Sequence, residues 1–565
     1  MKSKFFIKYF PTLLVCLSAI IGLIGFYIYF KDHNISYNIS DLVYAVLKLF
    51  LFGNDFSLRH INVFLNIARF LGPLSLATAI IQGALKLFSS RINIEKVKRF
   101  KDHIIICGDA ESNKPLIKDI TDSEKGDYIV VKNEKDIDVN PIKNTVEYQN
   151  INNDLLTDIA FYKSRYLIVS FNDDAESLNF TASLLDTIDL DKIQKEIDII
   201  LLFKNPKWSE LSNDMGILRN INEKVSKSTF FNIRYLNYID KAIRKNMLVC
   251  APDIIKPITD IKDPAIEVGI IGNNTIMQRL IINLALNSHY INDQKLKIYV
   301  SHNSSEEFSA FIREYQLNKI LEIIEVDFEE LSDKTNITAI YICENDELKL
   351  MQYVKALQES DTLSNVKRFI FIEQSNNITS LLPAKQNTII DISQEIGVFD
   401  NVINESLDDL AKTIHNDYIT KLKEKDKLEP DPEKKKLKAD DATHQMWDLL
   451  PDEIKDRNRL QADHIDVKLR SVACKKAPID SPKEIYDWGN DPRIEALSGA
   501  EHNRWNAYKY YKGWKQGGVK DEQKKTHPYL IPYEKLDDDI KKNDRNTIKH
   551  IPDLLEILGY KAVSQ

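Results

Sequence analysis

At 565 residues the chain is longer than one hydrophobic core serves, and 43% hydrophobic with 28% charged residues is the balance of folded globular protein. A net charge of −8 argues against a surface built to neutralise phosphate backbones, so nucleic acid is not an expected partner. The five cysteines are widely separated and form no CxxC pair, so no metal or disulfide framework is expected and a reducing cytosol suits the soluble part.

The first element is FPTLLVCLSAIIGLIGFYIYF, residues 10–30, which carries no ionisable side chain except tyrosine. About 20 such residues let a helix cross a bilayer. Pro11 falls in the first turn, and Tyr27, Tyr29 and Phe30 suit the far interface. A cleaved signal peptide is the rival reading, but YIYFKDH offers no small-residue cleavage site.

Residues 61–88 form a second candidate span interrupted by Arg69. At mid-bilayer Arg69 has to face a bundle interior, water or a neighbouring chain, unless the span starts nearer Phe70 and leaves it at the interface. Gly72-Pro73 invites a kink that a gate could use. Between the spans, residues 40–56 are too short to cross. Ser40 or Asp41 is expected to cap a short helix there, with a turn at Gly53, Asn54 and Asp55. That helix is either re-entrant or interfacial.

Lys2, Lys4 and Lys8 precede the first span, and Arg91, Lys96, Lys98, Arg99 and Lys101 follow the second. The expectation is therefore a two-pass protein of the inner (plasma) membrane with both termini cytoplasmic. In order and size this region resembles two-helix potassium channels, which implies a lipid bilayer and cations as partners. Where those channels have a TVGYG-like filter this chain reads LFGNDF, which leaves potassium selectivity open. Candidate pore and gate residues are Gly53, Asn54, Asp55, Arg69, Gly72 and Pro73.

From residue 101, KDHIIICGDAESNKPLIKDI reads as the strand, glycine turn and helix that open a doubly wound sheet. Strand-like runs follow at 128–134, 165–171 and 198–203, separated by helix-length segments. With SFNDDAESLNFTASLL at 170–185, the region resembles the RCK (KTN) domains that gate potassium channels and transporters. Candidate nucleotide-binding residues are Gly108, Asp109, Ala110 and Lys132, but only the first glycine of a dinucleotide fingerprint is present. Asp109 and Glu111 would repel phosphate. The pattern repeats at AIEVGIIGNNTIMQRLIINLA, 265–285, with Gly272 and Asn274 in the turn, and further strands at KLKIYVS, LEIIEVDF, TAIYICEN and KRFIFIE. Two such domains resemble a gating-ring subunit, which implies a homo-tetramer.

A charged stretch at 421–441 reads as a helix end or linker. Beyond it, EHNRW with GW, HP.L.PY and DR.....IP over 497–560 resembles the RyR domain, the repeat module of ryanodine receptors also found in bacterial proteins. Glu501, His502, Arg504, Trp505, Trp514, His527, Tyr533, Lys542, Asp544 and Arg545 offer aromatic faces, donors and acceptors suited to a nucleobase joined to phosphate. The competing reading keeps Trp505 and Trp514 in the core and pairs Arg545 with Glu501 or Asp544. Glu501 and His502 are adjacent on a helix and point about 100° apart, so an enzyme active site is not expected.

The expected fold class is a membrane α-helical region of two spans plus the short intervening helix, then tandem α/β doubly wound Rossmann-like domains, then a mainly α RyR-like domain. The boundaries are 1–95, 96–255, 256–405, a charged linker at 406–440, and 441–565. The expected function is a ligand-gated, channel-like protein responding to a nucleotide-derived ligand, ADP-ribose-like or cyclic, in a bacterial anti-phage setting. A potassium channel or uptake protein under an ordinary nucleotide, and a non-conducting membrane-anchored scaffold, are the alternatives.

Overall fold

The structure is a computed structural model that describes residues 2–51, 53, 61–109, 113–134, 142–215, 230–302, 305–374, 382, 385–396, 398–429, 438 and 441–565. Asn54, Asp55 and Ala110 lie outside these residues. The chain forms two compact units, the first being Met1–Phe100 with two short inserts, Lys143–Val146 and Thr157–Ala160.

The first unit is built on three helices, α1 (Lys2–Asp32), α2 (Ile39–Phe50) and α3 (Val63–Val97). By length and composition α1 and α3 each suffice to cross a membrane. The cap of α2 is Asn38, two residues before the expected Ser40. Asn38 Oδ1 accepts from the Asp41 amide and Asp41 Oδ2 from the Asn38 amide, both at 2.9 Å, closing a reciprocal box. Gly53 ends α2 by donating its amide to the Lys48 carbonyl at 2.8 Å. α3 runs through Gly72-Pro73 as one helix and extends well past the apolar stretch.

Asn62 sets the start of α3. Its Oδ1 accepts from the Leu65 amide at 2.9 Å while its Nδ2 donates to the Gly25 carbonyl of α1 at 2.8 Å. The helices approach closely there, because a Cβ on Gly25 would lie 2.8 Å from the Leu65 backbone nitrogen. Phe26, Tyr29, Val46, Leu49, Leu65 and Ala68 fill the space between the three helices.

Beyond the three helices the chain forms two six-stranded sheets. The first contains β1 (Ile104–Gly108), β2 (Tyr128–Asn133), β3 (Thr145–Tyr148), β4 (Tyr166–Ser170), β5 (Ile197–Phe203) and β6 (Phe231–Asn237), in the order β3-β2-β1-β4-β5-β6. The second contains β7 (Glu267–Gly272), β8 (Lys297–Ser301), β9 (Glu322–Glu325), β10 (Ile337–Cys343), β11 (Lys367–Ile372) and β12 (Asn387–Asp391), in the order β12-β11-β10-β7-β8-β9. Both orders reverse beside the first strand of their sheet, the doubly wound Rossmann arrangement. Central strands such as β1 and β4 are apolar because helices cover both faces of a parallel sheet. β3, β6 and β12 were absent from the sequence expectation and all lie at sheet edges.

The stretch expected to be a linker is ordered helix for much of its length. Asp409–Leu428 is a helix that buries Ala411, Ile414, His415 and Leu422. Helices Asp452–Ser471, Ile494–Tyr511, Asp538–Lys549 and Ile551–Ile557 follow, with β13 (Cys474–Pro478) antiparallel to the last strand, Tyr560–Ser564. These helices share one apolar core with the second sheet, running from Ile270, Leu280 and Tyr341 to Ile465, Leu497 and Ile548.

Gly25→Val should force α1 from α3, because the added Cβ meets backbone rather than a movable side chain. A loss of about 1–3 kcal/mol is expected, read as a lower melting temperature of the detergent-solubilised protein.

Candidate functional site

The helix Ile494–Tyr511 organises the C-terminal module, and its residues at spacing four and three form one face. Glu495, Gly499, His502 and Asn506 all turn toward the segment Ile531–Tyr533. His502 Nε2 and Asn506 Nδ2 both donate to the Ile531 carbonyl, at 2.9 and 3.2 Å, and Gly499 sits against the Tyr533 ring. At the start of this face, Glu495 receives the Arg545 fork at 2.7 and 3.0 Å and the Tyr533 hydroxyl at 3.1 Å. Burial pushes the Tyr533 phenol up to about 12, with Glu495 adding to the shift.

This end of the helix borders a cavity of about 720 Å³. One wall is Glu495, Ala496, Gly499, Tyr533 and Lys541; the other comes from the second Rossmann-like domain through Asp260, Lys262, Tyr290 and Asp293. Ala496, Gly499 and Ala500 line the cavity beside the Tyr533 ring, and the Lys541 ammonium lies 5.3 Å from that ring's centre. The volume is in the usual range of roughly 300–1,000 Å³ for small-molecule sites.

The ten residues expected to bind ligand separate into three groups. Glu501 and Arg504 are buried and pair at 2.7 Å, with Lys468 Nζ 2.6 Å from Glu501. Desolvation alone would raise the Glu501 carboxyl, but Arg504 and Lys468 overcome it and hold the group far below the usual range. Neither Glu501 nor Arg504 is exposed; the two form a buried ion pair. The second group is aromatic: the Trp505 ring stacks on His502 at 5.7 Å and meets the edge of His527 at 4.9 Å. Trp514 is buried with Lys509 Nζ 3.8 Å over its ring, and burial lowers the Lys509 amine to about 8, with Arg457 acting in the same direction.

The third group is Tyr533, which lines the cavity, and Arg545, which reaches it only through its pairing with Glu495. Arg545 pairs with Glu495 and Asp538 rather than with Glu501 or Asp544. Asp544 instead faces His502 at 3.4 Å, and Lys542 is exposed. Sequence reasoning missed Glu495, Lys468 and Lys509. Gly499, one turn beyond Glu495 in the middle of a helix, was the available signal for a close approach there.

Among the described residues of the two Rossmann-like turns, a glycine closes each strand and a side chain follows that accepts a backbone amide. Gly108 has φ of 123°, and a Cβ there would lie 1.9 Å from the Ser170 carbonyl oxygen; Gly272, at φ 145°, stands likewise against Cys343. Asp109 Oδ2 accepts the Asn172 amide at 2.5 Å, placing a carboxylate where a fingerprint would leave room for phosphate. In the second domain Asn274 Oδ1 accepts from the Met277 amide at 3.0 Å, capping its own helix. Lys132 is buried and pairs with Glu147 at 3.2 Å.

A charged junction joins the domains of this unit. Arg244 forks onto Asp463 at 2.7 and 2.9 Å and also binds Asp408, which Arg459 reaches at 2.8 Å. Arg279 grips Asp240 at 2.6 and 2.8 Å and Glu210 at 3.0 Å.

These features define a chain with two helices of membrane-spanning length, tandem Rossmann-like domains, and a helical module fused to the second of them. Residues 477–564 of that module match the RyR domain family. No curated protein is significantly similar to the chain. Among solved structures, a crystal structure of GsuK bound to ADP shares 12% identity over 71% of this chain and 98% of its own, with a TM-score of 0.34. A GsuK channel bound to NAD shares 11% over 72% and 85%, at 0.35, and a GsuK RCK domain 10% over 55% and 79%, at 0.34. Likeness at these TM-scores carries no argument; the fold stands on strand order.

Glu501→Gln should leave Lys468 and Arg504 as uncompensated buried cations. A loss of about 3–5 kcal/mol in chemical denaturation is expected. Lys509 supplies a pH test. Its folded value of about 8 lies below its ordinary 10.5, so the unfolded chain binds more protons between the two and stability rises with pH across that window. Denaturation midpoints at several pH values should show the rise, and Lys509→Met should lack it.

Proposed function

We propose that this chain is a ligand-gated, channel-like membrane protein whose cytosolic body binds a nucleotide-derived ligand in the 720 Å³ cavity between the RyR-matching module and the second Rossmann-like domain. The observation that carries the reading is that the cavity takes one wall from each. The Tyr533 ring suits a base, Lys262 and Lys541 suit phosphate, and Glu495 and Asp260 suit sugar hydroxyls. ADP-ribose-like and cyclic nucleotides fit this chemistry.

A ligand touching both walls shifts the protein only if it prefers one spacing of them over another. In an assembly of several copies, tetrameric as in the channels the N-terminal region resembles, that preference would pull on α3 and gate an ion path. Binding rather than catalysis is supported by the clamped, ionised Glu501 between Arg504 and Lys468. In a bacterial cell a signalling nucleotide made on phage infection would open the path and depolarise the membrane.

Calorimetry of the full-length protein with ADP-ribose, its cyclic form and cyclic dinucleotides tests the reading. Tyr533→Ala should weaken the binder by about tenfold or more, and the same ligand should raise current in planar bilayers. Binding unaffected by Tyr533→Ala would move the site elsewhere.

A further inference from the structure

The apolar stretch Val63–Ile81 of α3 contains one charged side chain, Arg69, and its surroundings leave that charge unanswered. The Nε of Arg69 is buried without a hydrogen-bond partner, and no salt bridge reaches the guanidinium among the described residues. The Phe70 ring lies 4.9 Å from the guanidinium carbon.

Asn66 lies one turn before Arg69 on the same stripe of the helix, and it is exposed. Along the apolar stretch Leu65, Ala68, Gly72, Pro73 and Ser75 are buried, with Gly72 against the Leu49 carbonyl of α2 and Pro73 one turn beyond the half-buried Arg69. A guanidinium and a carboxamide one turn apart are too costly to turn toward hydrocarbon, so their stripe has to meet water or protein. The span supplies no carboxylate to neutralise them.

We infer that Asn66 and Arg69 line the ion path and make it select small inorganic anions over cations. This rests on the channel reading above and departs from the cation expected of a potassium-channel-like layout. Several copies of α3 around one axis would set a ring of guanidinium groups beside a ring of carboxamide N–H donors. Such a ring draws anions in and repels potassium, which is how arginine and lysine rings act in anion pores. The guanidinium stays charged at every physiological pH, so the selection does not depend on proton uptake.

The experiment uses the full-length protein in lipid vesicles, with Cys16→Ser removing the exposed native cysteine; the other four are buried. Asn66→Cys is then labelled with an anionic sulfonate thiol reagent and, separately, with a cationic trimethylammonium one. Faster reaction with the sulfonate is expected, with the rate ratio falling by about tenfold on Arg69→Gln and surviving Arg69→Lys. Failure of the introduced thiol to react with either reagent, or a ratio indifferent to Arg69→Gln, overturns the inference without touching the channel reading.

Currents provide the second arm. In a roughly tenfold KCl gradient the reversal potential should lie on the chloride side and move toward potassium in Arg69→Gln. A potassium-side reversal in the unmodified protein overturns the inference while supporting conduction. Labelling of the Asn66→Cys variant combined with electrical silence under every nucleotide tested overturns conduction, and the selectivity with it.

Discussion

Two carboxylates taken out of water, Glu405 and Asp408, are the constraint on which the second unit depends. Desolvation would raise both. Lys241, Arg459 and Arg234 hold Glu405 down at about 2, and Arg459 and Arg244 hold Asp408 lower still. The cations come from β6, from the helix Tyr238–Cys250 behind it and from the helix Asp452–Ser471, while the acids end the second Rossmann-like domain. A buried pair of this kind adds little net stability over an apolar contact, yet removing one member strands a charge in a low-dielectric site. The cluster therefore fixes register among three parts of the unit more than it adds to their cohesion.

Cohesion comes from the shared apolar core. Because Leu280 and Ile281 of the second Rossmann-like domain belong to the same cluster as Leu460, Ile465 and Leu497, the RyR-matching module is not a bead on a string. Its most recognisable residues divide the work accordingly. Glu501, His502 and Arg504 hold the helix Ile494–Tyr511 in place, and the helix in turn sets Glu495 and Gly499 at the cavity beside Tyr533 of the following segment. Residues that identify the module and residues that face the cavity are largely different ones.

The sequence was most legible where burial is symmetrical. β1, β2, β4, β5 and β7 through β11 are short apolar runs closed by a glycine or polar residue, and each was found. β3, β6 and β12 read TVEY, FNIRYLN and NTIID, in which polar residues interrupt the apolar ones at a sheet edge, so no continuous run marks them. The helix Asp409–Leu428 was hidden by charge, since its lysines and acids mask the few residues that touch the core. At the site, Tyr533 and Arg545 were legible from their residue types. Their partner Glu495 was not, because it is one acid among 84 acidic side chains and only the folded turn brings it to them. Lys468 stands 33 positions before Glu501 and was invisible for the same reason.

At the two Rossmann-like turns the side chains of Asp109 and Asn274 each accept a backbone amide of the chain itself. A phosphate arriving at either turn would have to displace a contact that the chain already makes with its own backbone.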